Sequence, residues 1–185
     1  MKRYGCLFTC LLTRAIHIEK LDSLDADSFI NAFVRFMSRR GVPSILRSDN
    51  GTNFVGGLKE LKRAMKDLQA SSKVQHHLLM KGVTWVFNPP HASHMGGVWE
   101  RMIRTVRKVL NALMHKQVIN DEILTTFFCE VENIVNGRPL TKNSEDVNDP
   151  QPLTPNHLLL LRSGPAGTMV KSSKEDTFSK RWRHV

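Results

Sequence analysis

The longest periodic segment of the chain does most to limit how it can fold. Between Ser93 and His115 the residues Met95, Val98, Trp99, Met102, Ile103, Val106, Val109, Leu110 and Leu113 recur three or four positions apart. That spacing predicts an α-helix with one apolar stripe, and Glu100, Arg104, Arg107, Lys108 and Asn111 form the opposite stripe. Such a helix draws its stability from laying the apolar stripe on another layer of structure.

The remaining segments alternate between strand-like and helix-like patterns. Tyr4–Leu12 is dense in apolar residues and Thr and reads as a strand. Ala15–Leu21 alternates, with Ile16 and Ile18 on one face and His17 and Glu19 on the other. Thr13-Arg14 between them is short enough for a hairpin turn, although it lacks the Asn-Gly signature. Phe29, Ala32, Phe33 and Phe36 predict a helix over Asp25–Arg40, stopped by Gly41-Val42-Pro43. Ser44–Arg47 reads as a short strand running into a Ser48-Asp49-Asn50-Gly51 turn.

Leu58–Leu68 reads as a helix with Leu58, Leu61, Met65 and Leu68 inward, followed by a polar connection over Ser71–His77. Val83–Phe87 is a strand ended by Asn88-Pro89-Pro90, and Asp121–Val135 a helix closed by Asn136-Gly137 and Pro139. The alternation is that of an α/β domain, placed at 1–140. Beyond it, 141–185 reads as an extension: a polar stretch, a compact apolar run at Leu158–Leu161, then a Gly-, Ser- and Lys-rich linker.

With 41% hydrophobic residues in 185, the chain suits one ordinary core. Lys and Arg total 27 against 17 for Asp and Glu, a formal charge of +10. A surplus of this size favours an anionic partner, nucleic acid or an acidic membrane surface; the blander alternative is a basic protein with no such partner. The three cysteines, Cys6, Cys10 and Cys129, are too few and too scattered for a disulfide framework and suit a reducing compartment. Cys6 and Cys10 fit one face of a strand, and no cysteine pair at finger spacing accompanies His76 and His77, so no structural zinc is expected. The N-terminal apolar run is too short for a membrane span. No membrane partner is expected and no address signal is visible.

Two carboxylates stand at chemically useful places. Asp49 lies where a short strand enters a Gly-containing turn, the sheet edge at which α/β proteins tend to bind ligands. Glu100 falls in the second turn of the long helix, beside a Pro-Pro-His-Ala-Ser-His loop. The electropositive start of a helix suits a phosphate. Brought together, the two would offer hard oxygen ligands to Mg²⁺. Spacing alone favours the blander reading, with Asp49 an Asx-turn residue and Glu100 a charge that complements the helix start.

Around them, Arg101, Arg104, Arg107 and Lys108 offer phosphate contacts or a solvated helix face. His91 and His94 could reach a substrate from the loop before the helix, where Ser93 fits a cap. Asn50 and Asn53 could bond a substrate or brace the turn. Trp85 and Trp99 fit core positions.

The motifs holding these residues are more specific than their spacing. RSDNGTNFVG at 47–56, FNPPHASHMGGVWERMIRTVRKVL at 87–110 and YGCLFTCLLTRAIHIE at 4–19 resemble the integrase core of Bel-Pao-type long-terminal-repeat retrotransposons, within the retroviral integrase superfamily. RRGVPSILRSDNG at 39–51, NGRPLT at 136–141 and PLTPNHLLL at 152–160 fit the same family, so the likeness runs through most of the chain.

The resemblance implies a ribonuclease-H-like mixed sheet of five strands flanked by helices. It implies a polynucleotidyl transferase that uses Mg²⁺ or Mn²⁺ on an Asp, Asp, Glu triad, in which Asp49 matches the second acid and Glu100 the third. DNA, both element ends and target, is the implied partner; self-association and nuclear action within the cell are implied too. The family's first acid sits on a first strand upstream of the position that matches Tyr4. Asp22, Asp25 and Asp27 are poor substitutes, since they follow the second strand or enter the helix.

That first strand lies centrally in the family, between the strands at 4–12 and 44–47, so the sheet is expected to lack it and to leave two inner edges unpaired. The family's zinc-binding N-terminal module and most of a C-terminal module are likewise expected to be missing. The chain by itself is therefore expected to be catalytically inactive and marginally stable. The alternative function is a non-catalytic nucleic-acid-binding or self-associating domain derived from an integrase.

Overall fold

Apolar and β-branched residues at its start let the chain open on a β-hairpin. Strands β1 (Tyr4–Thr9) and β2 (Ile16–Leu21) form a two-stranded sheet. The connection between them is too short for a crossover, so they run antiparallel. In the computed structural model, residues 3–48, 59–87, 97–114, 120–141 and 151–160 are described.

β1 ends earlier than its composition predicts. Leu11, Leu12 and Thr13 form the turn in place of Thr13-Arg14. The Cys10 N–H donates to the Ala15 carbonyl at 2.8 Å and the Arg14 N–H to the Cys10 carbonyl at 3.0 Å. A two-residue hairpin turn of the favoured type needs positive φ at both central residues. The longer loop needs it only at Arg14, where φ is 58°. Cys10 thus sits past the strand, exposed, and does not share a strand face with Cys6.

Helix α1 (Ala26–Arg40) follows as expected. The Asp25 carboxylate caps it, accepting from the Ser28 N–H at 2.7 Å. Gly41, at φ 87°, ends it with an N–H to the Met37 carbonyl. Its buried residues Phe29, Ala32, Phe33 and Met37 cover a single hydrophobic core.

Phe8 of β1 stacks on Phe36 with ring centroids 4.3 Å apart and meets Phe33 at 6.1 Å. Phe29 stacks on Trp85 at 5.8 Å. Strands β3 (Ile45–Ser48) and β4 (Thr84–Phe87) pair in parallel, Ile45 opposite Thr84 and Ser48 opposite Phe87. Leu46 and Trp85 from this pair pack on the same core as Phe8.

A parallel pair requires a crossover, made here by α2 (Lys59–Ala70) and α3 (Ser72–Met80). α3 corrects the reading of Ser71–His77 as a polar connection. Ser71 caps the helix by accepting from the Val74 N–H, and Val74 and Leu78, one turn apart, are buried. Leu68 of α2 is buried as expected, whereas Leu58 lies outside the described residues.

The strands thus form two separate pairs, β1–β2 and β3–β4, under one helix. Among the described residues no strand joins the pairs. The α/β class is the expected one, built from small sheets flanked by helices.

β2 departs from simple alternation because both of its faces are buried. Ile16 and Ile18 are buried on one side, and His17 and Glu19 are each only 3% exposed on the other. The Glu19 carboxylate accepts from Arg35 Nε at 2.6 Å, from an Arg39 guanidinium nitrogen at 2.9 Å and from His17 Nε2 at 2.7 Å. Arg40 Nε donates to His17 Nδ1 at 3.4 Å, which agrees with a proton on Nε2. A buried carboxylate is tolerated when it is paired and hydrogen-bonded in this way.

The chain divides into two compact units, Met1–Phe8 with His17–Arg101, and Thr9–Ile16 with Met102–Val185. The second holds the hairpin turn, most of α4 (Gly97–Leu113), α5 (Asp121–Asn136) and α6 (Pro155–Leu160). Asn120 caps α5 by accepting from the Ile123 N–H at 2.8 Å. Leu124, Phe127, Phe128, Val131 and Val135 make its buried stripe.

Asn136, which the sequence marks only as part of a helix stop, has a second role. Its side-chain amide accepts from the Ile16 N–H at 2.8 Å and donates to the Ile16 carbonyl at 2.9 Å, serving β2 as one residue of a neighbouring strand would. Arg138 adds a bond to the Arg14 carbonyl. The apolar run near 158 forms α6, whose Asn156 donates to the Asn133 carbonyl and side-chain oxygen.

Candidate nucleic-acid interface on α4

Helix α4 carries the candidate site residues that lie among the described residues. Met102 is buried and Val98, Trp99, Ile103, Val106, Val109, Leu110 and Leu113 are half-buried, so the apolar stripe is realised over Gly97–Leu113. Glu100 is half-buried in the first turn counted from Gly97, and residues 93–96 lie outside the described residues. Arg101, Arg104, Arg107, Lys108 and Asn111 are exposed.

At 1.5 Å per residue, Arg101 to Lys108 spans about 10 Å of helix. Glu100 and Arg104 stand at i,i+4, a spacing that allows an ion pair. None joins them among the described residues, which leaves the Glu100 carboxylate available as an oxygen donor to a hard cation. A lone carboxylate does not make a metal site. Among the described residues no group of three His, Cys, Asp or Glu side chains could hold a metal ion.

Asp49, Asn50, Asn53, His91 and His94 lie outside the described residues, as do Ser93 and Met95. Of the residues singled out in the sequence, the structure therefore gathers Glu100, Arg101, Arg104, Arg107 and Lys108 on one helix. Trp85 packs on the core, with its Nε1 donating to Ser48 Oγ at 3.0 Å. Its place fits packing, while Trp99 is half-buried on α4.

None of the three cysteines is in a disulfide. Burial pushes the Cys6 thiol up to about 12, with the Glu19 charge adding to the effect. At Cys10 burial acts upward, but hydrogen bonds from Thr13 and Leu12 and the Arg14 charge outweigh it and lower the thiol below its ordinary value. Two clusters escaped the sequence reading: Glu19 with His17, Arg35 and Arg39, and Asn136 with Ile16. The first had a signal in Arg35, Arg39 and Arg40, one turn apart at the end of α1; the second had none short of the fold.

With this geometry in view, the chain can be compared with known structures. It is similar to a chain of the cryo-EM structure of the simian T-cell lymphotropic virus intasome in complex with a PP2A regulatory subunit, with a TM-score of 0.57 and 15% identity. The likeness is one of fold. The match takes in 93% of this chain and 59% of that one, so this chain spans little more than half the length of its structural neighbour. No protein-family model and no curated protein matches the sequence. No helix among the described residues is long and apolar enough to cross a membrane.

Proposed function

We propose that the chain is the catalytic-core portion of a retroelement integrase of the Bel-Pao type, built on a ribonuclease-H-like sheet. The observation that carries the reading is α4, where a half-buried carboxylate, with no ion pair among the described residues, is followed by four exposed cations. The intasome-like fold and the +10 charge support it.

In this reading Asp49 and Glu100 are metal ligands. Two divalent cations, when bound, stabilise both the attacking and the leaving oxygen of an in-line phosphoryl displacement. Arg101, Arg104, Arg107 and Lys108 neutralise phosphates and position DNA without reading its sequence. Asn50, Asn53, His91 and His94 are the further candidates for DNA contact. Element ends and target DNA are the partners, and the nucleus is the place of action. In the family the first acid precedes the position that matches Tyr4, so Asp49 and Glu100 stand for the second and third acids of the triad.

The test is strand transfer on a short DNA duplex with Mg²⁺ or Mn²⁺. It compares this chain with a version extended upstream by the family's first strand and its aspartate. The extended version should join strands and lose that activity, by about 100-fold or more, on Asp49→Asn or Glu100→Gln. Full activity in both variants would remove the two carboxylates from the mechanism. Activity of this chain unextended would show that another group supplies the first acid.

A further inference from the structure

We draw no further inference here: the strongest candidate, the open strand edges of β1 and β3 beneath α1, asks for the central strand that the family resemblance already implies, and nothing among the described residues shows what else covers them.

Discussion

Single residues set the junctions of this fold, and Asn136 is the plainest case. Its amide meets both backbone groups of Ile16, which is 1% exposed. Asn136→Leu would leave a buried N–H and a buried carbonyl unpaired at about 1–3 kcal/mol each. Urea denaturation should therefore show a loss of about 2–6 kcal/mol. A loss inside about 0.5 kcal/mol, typical of a surface position, would mean that Asn136 does not brace β2.

Asp25 sets the start of α1 and has a pH signature. Hydrogen bonds from the Ser23 hydroxyl and the Ser28 N–H hold its carboxyl below the ordinary value of 3.8. A depressed acid stabilises the folded state fully above its unfolded value and stops doing so as pH falls through the folded value. Asp25→Asn keeps a good cap but cannot titrate. It should be less stable than the native chain at pH 7 and should converge with it as pH falls through the folded value. Chemical denaturation at several acidic pH values measures this, and a gap that widened on acidification would contradict it.

Elements are where the sequence was most legible. The period of 3.6 in α1, α4 and α5 and the caps Asp25 and Asn120 are local signals, so these helices fall where their residues place them. α3 was missed because two apolar residues one turn apart are a weak periodicity in nine residues. The end of β1 was missed because hairpin length depends on which backbone pair closes the loop.

The α4 stripe yields a prediction at this scale. Arg104 and Arg107 are exposed, so Arg104→Gln with Arg107→Gln should change stability by less than about 0.5 kcal/mol per site. If the stripe holds phosphates, the slope of log affinity for duplex DNA against log salt should become shallower by about 2. Fluorescence anisotropy across a salt series reads the slope. An unchanged slope with unchanged affinity would make the stripe a solvated face and place DNA elsewhere.

At the largest scale, the strands among the described residues form two pairs, and Phe8 of β1, Leu46 of β3 and Trp85 of β4 meet on one core. Isolated two-stranded sheets are marginal in water, and unpaired edges expose backbone groups that a further strand would satisfy. An upstream strand joined to Tyr4 should raise the thermal midpoint and slow hydrogen exchange in β1 and β3 together. Slowing in β1 alone would mean that the added strand pairs with one edge and does not bridge the pairs.

By itself the sequence determined the α/β class, the helices with strong periodicity and the basic stripe beside Glu100, because these rest on local spacing and charge. Only the tertiary structure decided that His17 and Glu19 are buried with Arg35 and Arg39, and that Asn136 stands in for a strand beside Ile16. The Asn136–Ile16 contacts join residues 120 positions apart. A buried polar group needs a partner in space, and no periodicity along the chain names that partner.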